Sequence, residues 1–201
     1  QSTSNSQKRS RTIKNKVIVI DNFIDTDYQD KIQGELLNAS NPFPWFYAED
    51  VTSEDQKDSQ HRPGFSHQYV KPGEVVSPYH NLFIPLLQKV GVELNLSNLE
   101  IIIGRSFLQC PINTDGTVDT PHIDLDDNES FIVALYYVCD SDGDTIIYNE
   151  RKEQPEGQYT IKQKVTPKKG RIVIFDGCLY HTAEQPVFKN TRCVVNYCLQ
   201  I

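Results

Sequence analysis

The strongest constraint on this chain is a series of short β-type runs in its second half. Residues 100–108, 131–138, 145–148, 159–164, 171–175 and 191–199 are rich in β-branched and aromatic side chains. Turn residues separate them: Asn113-Thr114-Asp115-Gly116, Asp140-Ser141-Asp142-Gly143, Pro155-Glu156-Gly157, Pro167-Lys168-Lys169-Gly170 and Asp176-Gly177. Many short strands joined by such turns predict a β-sandwich, barrel or jelly roll. The run 131–138, FIVALYYV, is apolar at both strand parities. A strand of that kind is central and covered on both faces, here with the N-terminal helices as the cover.

The first half reads differently. Residues 16–21 form a short strand, and Asp25 or Thr26 caps a helix to about Asn38 with Ile32, Leu36 and Leu37 on one face. A second helix runs from Pro78 to Val90 despite Pro85. Between them, residues 39–78 lack periodicity and carry the cluster Phe43-Pro44-Trp45-Phe46-Tyr47. A stretch of that length without a pattern marks a functional or mobile segment. The organisation predicted is one domain: a flexible basic tail over 1–15, helical support over 16–98 and a jelly-roll core over 99–201.

Charge narrows the partners. The chain has 20 basic and 27 acidic residues; five basic residues and no acid precede residue 17, so 15 face 27 in the remainder, a balance of −12. An acidic body disfavours nucleic acid, whose binding runs on phosphate neutralisation. No apolar run reaches the roughly 18 residues of a membrane span, and the polar N-terminus lacks the apolar region of a secretory signal. The odd count of five cysteines, none in a C-x-x-C pair, argues for reduced thiols in a cytoplasm. Cys193 and Cys198 read as small core hydrophobes.

His122-Ile123-Asp124 carries the chemistry. Residues two apart in a strand share a face, so an imidazole and a carboxylate project together while Ile123 points away. His181, after the turn at Asp176-Gly177-Cys178, is the best third ligand. Two histidines and one carboxylate on one face leave the opposite positions open, an arrangement suited to Fe(II). H-x-D alone is weak: His122 also reads as a core histidine and Asp124 as a turn residue. His61, His67 and His80 have no such partners and read as loop or surface residues. Arg192, eleven residues after His181, starts the last strand and offers a planar fork for a carboxylate; a salt bridge to a protein acid is the alternative.

The order His122-x-Asp124, Tyr136-Tyr137, Gly143-Asp144-Thr145, Pro167-x-x-Gly170-Arg171-Ile172-Val173-Ile174-Phe175, His181 and Arg192 resembles the 2-oxoglutarate/Fe(II) oxygenase superfamily. It is nearest the prolyl-hydroxylase-like branch, including versions carried by marine bacteria and their phages. The resemblance is strong over about 100–201 and loose over 16–99. It implies a double-stranded β-helix, mainly β with N-terminal helices. It also implies Fe(II), 2-oxoglutarate as co-substrate, O₂, and ascorbate as a stimulant. His122, Asp124 and His181 match the iron ligands, and Arg192 the residue that grips the distal carboxylate of 2-oxoglutarate. Tyr137 matches a tyrosine that helps hold that carboxylate, or is a core aromatic. Gln109 stands near a polar contact to the co-substrate. Asn196 shares a face with Arg192 and Val194, and lines the pocket or satisfies backbone. Gly143-Asp144-Thr145 departs from the commoner double glycine and reads as a hairpin without a catalytic role.

The activity implied is hydroxylation of a C–H bond, prolyl in a peptide as the leading guess, with release of succinate and CO₂. A peptide, protein or small-molecule substrate fits; nucleic acid and membrane do not; oligomeric state is not readable. A cupin-like metal-binding jelly roll without 2-oxoglutarate turnover is one alternative, and a nucleic-acid demethylase on the same core is another. Loops carry recognition on such scaffolds, so the entrance is expected along 41–73, with Trp45, and 113–120. Trp45 packing the helices onto the sheet is the competing reading.

Overall fold

The computed structural model describes residues 13–38, 40, 42–51, 62–112, 118–125, 130–154, 157–188 and 191–201. Eleven strands are present among them: β1 (Val17–Ile20), β2 (Phe46–Ala48), β3 (Gly64–Lys71), β4 (Glu74–Val75), β5 (Glu100–Gln109), β6 (Phe131–Tyr137), β7 (Thr145–Arg151), β8 (Ile161–Val165), β9 (Ile172–Asp176), β10 (Leu179–Ala183) and β11 (Arg192–Gln200). The large sheet has the order β1-β9-β6-β11-β5-β3-β2 with β4 beside β3, and the small sheet the order β10-β7-β8. All strand pairs are antiparallel. The two sheets face each other as a jelly roll.

Helix α1 (Thr26–Leu37) starts where Asp25 accepts the Tyr28 N–H on its side chain at 2.9 Å. That bond satisfies one of the N–H groups a helix start leaves unpaired. Ile32 and Leu36, one turn apart, are buried. The second helical stretch is two pieces. A 3₁₀ turn (Pro78–Phe83) is capped by Ser77, and α2 (Ile84–Glu93) comes next with Pro85 in its first turn. A proline there loses no helical hydrogen bond, so Pro85 starts a helix and does not interrupt one.

The helices cover the outer face of the large sheet. Ile32, Leu36, Leu87 and Val90 pack with Ile132, Ala134 and Tyr136 of β6 in one cluster. The alternate residues Phe131, Val133, Leu135 and Tyr137 pack with Ile147 and Phe175 inside the roll. All seven β6 residues are buried, as their two-sided apolar pattern predicts. Each large apolar side chain so buried contributes roughly 1.5–3 kcal/mol, and a one-residue slip would exchange the two faces. Cys193 and Cys198 are buried, one in each cluster, and all five cysteines are free.

Three expectations need correction, and Trp45 follows the packing alternative. The stretch 39–78 is not irregular throughout: it holds β2, β3 and β4, with β3 hydrogen-bonded beside β5. A register shift between Gln68 and Val70 breaks the period of two, and both Tyr69 and Val70 are buried. His67 and His80 are not surface residues. His67 is buried between the Pro44 carbonyl and Ser77, each at 2.7 Å, and His80 Nδ1 meets the Tyr197 hydroxyl at 2.9 Å. His61 lies outside the described residues. Within the stretch expected as a tail, Ile13 is buried in the helix-side core and the Asn15 N–H donates to Asp176, so the fold is already anchored there; 1–12 lie outside the described residues. Trp45 does not face the roll. Its indole N–H donates to the Leu36 carbonyl at 3.0 Å, and its ring meets Phe43 edge-on, against the helix-side core.

Candidate active site

His122 and His181 are brought together by the backbone. They form an isolated antiparallel bridge in which His122 N–H donates to His181 O at 2.9 Å and His181 N–H to His122 O at 3.0 Å. Directly opposed residues of an antiparallel pair point to the same face. His181 sits in β10 opposite Ile147, an inner-face residue, and its ring packs on Phe175. Asp124, two residues beyond His122, lies beside both imidazoles, and Ile123 packs against both the cluster of Ile146, Tyr148 and Tyr180 and the inner one. The segment is held by Asp119, whose carboxylate accepts from Arg62 and Gln185 and whose carbonyl accepts from Thr182.

His122 Nε2 lies 3.8 Å from Asp124 Oδ1, and His181 Nε2 lies 3.5 Å from Asp124 Oδ2. One donor atom from each of the three residues falls within 4.8 Å of the others. Both histidines turn Nδ1 toward a backbone carbonyl two residues back, Thr120 O and Leu179 O, each at 3.3 Å. Those contacts leave Nε2 for a metal. Desolvation, then His181, pushes His122 down to about 4, so it is neutral near pH 7, although 39% of its side chain stays accessible. Burial works against the Asp124 charge, but Arg105 and the two histidines hold its carboxyl well below the usual range. Two imidazoles and one carboxylate at these separations fit a divalent first-row ion with roughly 2.0–2.2 Å bonds. Among the described residues no further His, Cys, Asp or Glu joins the group.

A second polar group in the interior centres on Arg192, which is 4% exposed. Its Nε donates to Gly143 O at 3.0 Å, Nη1 to Gln109 Oε1 at 2.8 Å and Nη2 to Thr145 Oγ1 at 2.8 Å. The Tyr137 hydroxyl donates to the same Thr145 oxygen at 2.7 Å. Burial lowers the Arg192 pKa from its ordinary value. Burial also raises Tyr137 to about 12, offset in part by Arg192 and the Thr145 bond, so the phenol stays a neutral donor. Among the described residues no carboxylate lies within 4.0 Å of the guanidinium, so the salt-bridge reading has no partner there.

The motif Gly143-Asp144-Thr145 therefore does more than turn the chain. Its glycine carbonyl and threonine hydroxyl both hold Arg192, contrary to the reading as a bare hairpin. A Cβ on Gly143 would stand 2.5 Å from Glu184 O and 3.1 Å from Arg192 Cδ, so only glycine admits this approach. Two further residues gain a role from the structure, Arg105, on which the sequence is silent, and Asn196, which it leaves open. Arg105, on β5, pairs with Asp124 Oδ1 at 2.7 Å, and Asn196, on β11, donates to Asp124 Oδ2 at 3.1 Å. The period of two from Gln109 to Arg105 is the available signal for the first.

No family model and no curated protein sequence matches the chain. Solved structures do. An oxidoreductase of the 2OG-Fe(II) oxygenase family from Burkholderia pseudomallei superposes with a TM-score of 0.64 at 12% identity, over 92% of this chain and 85% of that one. The non-heme alpha-ketoglutarate-dependent epimerase SnoN from nogalamycin biosynthesis gives 0.66 at 12% identity, over 99% and 83%. A prolyl hydroxylase from Trichoplax adhaerens, solved with a hypoxia-inducible-factor peptide fragment, gives 0.60 at 15% identity, over 99% and 93%. At these identities the likeness is one of fold: this chain has the jelly roll of the 2-oxoglutarate/Fe(II) oxygenases.

Proposed function

We propose that this protein is an Fe(II)- and 2-oxoglutarate-dependent oxygenase that hydroxylates a C–H bond. The observation that carries the reading is the pairing of two sites in one roll interior: a two-histidine, one-carboxylate set with no fourth such ligand among the described residues, and a buried arginine whose guanidinium has no carboxylate within 4.0 Å among them. A structural zinc site closes with a fourth protein ligand, and a cupin-like metal site gives no use for Arg192.

In this reading His122, Asp124 and His181 hold the iron, and Arg192 takes the distal carboxylate of 2-oxoglutarate. Gln109 and Thr145 hold the guanidinium plane in place, and Tyr137 lends a neutral hydroxyl through Thr145. The bound metal supplies oxygen activation coupled to decarboxylation of the keto acid, with succinate and CO₂ released. The protein orients the co-substrate, and the register puts the apolar pair Val194 and Phe107 between the Arg192–Gln109 and Asn196–Arg105 pairs. No side-chain general base is required.

A prolyl residue in a peptide is the leading substrate class, supported by the hydroxylase likeness. The acidic body argues against nucleic acid. The five free cysteines fit a reducing cytoplasm, bacterial or phage-infected. No helix among the described residues is long and apolar enough to cross a membrane.

The test is direct. Anaerobic addition of Fe(II) and 2-oxoglutarate should produce the weak visible charge-transfer band of a chelated keto acid, and air should then yield succinate. A host lysate incubated with both should show a product gaining one oxygen atom by mass spectrometry. Metal binding without the band or succinate would leave the cupin-like reading standing.

A further inference from the structure

Asp124 is gripped from the side of the large sheet. Arg105 Nη2 donates to Oδ1 at 2.7 Å, and Asn196 Nδ2 donates to Oδ2 at 3.1 Å. The side chain of Asp124 is 2% exposed. Arg105 and Asn196 face each other directly across the β5–β11 pair, so the sheet register sets their spacing. The Arg105 guanidinium also lies 5.0 Å from the centre of the Phe107 ring, which limits its swing. The orientation of Asn196 is fixed by the carboxylate, because turning the amide over would put Oδ1 against a like-charged oxygen.

The geometry points to Arg105 as a positioning residue that, with Asn196, keeps Asp124 to a single oxygen on the metal. The inference rests on the function proposed above. A free carboxylate can chelate a divalent ion through both oxygens. In a three-ligand site that would consume a position needed by the keto acid or by O₂. Here Oδ1 accepts from Arg105 and Oδ2 from Asn196, so the two donors hold the carboxylate plane in one orientation and occupy a lone pair on each oxygen. Arg105 also draws electron density from the carboxylate and adds a positive charge near the ion. Both effects weaken metal binding while preserving the open positions, so removing Arg105 should move the two affinities in opposite directions.

The experiment uses the full chain loaded anaerobically with Co(II), as wild type, Arg105→Gln and Arg105→Lys. Co(II) affinity, 2-oxoglutarate affinity of the Co(II) form, the visible ligand-field spectrum and the melting temperature are measured. The expected result for Arg105→Gln is a Co(II) affinity equal to or tighter than wild type and a 2-oxoglutarate affinity about tenfold weaker, in contrast to the roughly 10- to 100-fold loss of metal affinity that removing an outer partner typically causes. Its ligand-field bands should shift before any keto acid is added. Arg105→Lys should move each value back toward wild type. If Arg105→Gln loses both affinities together with melting temperature, the residue is merely structural and the inference is overturned. An unchanged spectrum with unchanged affinities overturns it as well. Wild type binding both ligands in that case leaves the proposed function intact; wild type binding neither removes the function and this inference together.

Discussion

His122 and His181 exchange both backbone hydrogen bonds across a single antiparallel bridge, at 2.9 and 3.0 Å. The same two N–H···O=C contacts that close the roll at this point also aim both imidazoles at Asp124. Metal affinity and local folding are therefore linked. Saturating Fe(II), Co(II) or Mn(II) should raise the melting temperature, since ligand at about 100 times its Kd stabilises by roughly 2.7 kcal/mol. Asp124→Ala should abolish that increment and activity together. Equal metal-induced stabilisation of wild type and variant, measured calorimetrically, would place the ion elsewhere.

Arg192 gives the second prediction. Its three guanidinium nitrogens each donate to a separate acceptor, Gly143 O, Gln109 Oε1 and Thr145 Oγ1, which leaves two of its five N–H groups. Arg192→Ala should raise the 2-oxoglutarate requirement by about 10- to 100-fold, as loss of a charge-assisted contact of roughly 1.5–3 kcal/mol implies. Arg192→Lys should recover little, because an ammonium cannot reproduce the planar fork. Titration of 2-oxoglutarate against the charge-transfer band reads both variants; normal binding by either one removes Arg192 from the co-substrate site.

Thr145 gives the third. One hydroxyl oxygen accepts from both Tyr137 and Arg192. Thr145→Val keeps the shape and deletes the acceptor, leaving Arg192 Nη2 short of its partner and Tyr137 with only the 3.4 Å contact to the Val165 carbonyl. The expected cost is about 1–3 kcal/mol in denaturant unfolding. A rise in the 2-oxoglutarate requirement smaller than that of Arg192→Ala should accompany it. Tyr137→Phe should move in the same direction and by less, since it removes one donor and leaves the acceptor to Arg192. A Tyr137→Phe effect exceeding Thr145→Val would mean that Tyr137 acts on the co-substrate without Thr145.

The parts of this site that a sequence reveals are those written in local spacing. His122 and Asp124 share a face because they stand two apart, and β6 declares itself by apolar residues at both parities. The hidden parts depend on pairing between distant strands. Arg105 meets Asp124 only because β5 lies beside β11 in the large sheet. Gly143 acts through a carbonyl and through lacking a Cβ, neither of which residue type announces. The strand β10, which carries His181, spans only Leu179–Ala183, too short a run to show a period beside the turn at Asp176-Gly177. In β3 the polar Ser66, His67 and Gln68 and the register shift mask the alternation. The histidines at 67 and 80 have no ligand partner nearby in sequence, which suggests the surface; they are buried because a carbonyl and two hydroxyls satisfy them.

Trp45 separates packing from recognition. Its indole N–H is committed to Leu36 O at the end of α1, and its ring stands 4.9 Å from Phe43. Phe43 in turn meets His67 and Tyr79, so Trp45 joins α1, the 3₁₀ turn and the outer face of β3. Arg192 lies on the opposite, inner face of that sheet beside Val194, and the triad is reached from the same interior, through Arg105 and Asn196. Truncating the ring should thus be felt as lost stability and not as altered substrate affinity. A fully buried Trp→Ala costs about 3–5 kcal/mol; Trp45 is half-buried, so roughly 2–3 kcal/mol is expected for Trp45→Ala, including the lost bond to Leu36. Denaturant unfolding measures that loss. The charge-transfer titration, run well below the new melting temperature, should return the wild-type 2-oxoglutarate affinity. A variant as stable as wild type that turned over 2-oxoglutarate without forming product would return Trp45 to the substrate entrance.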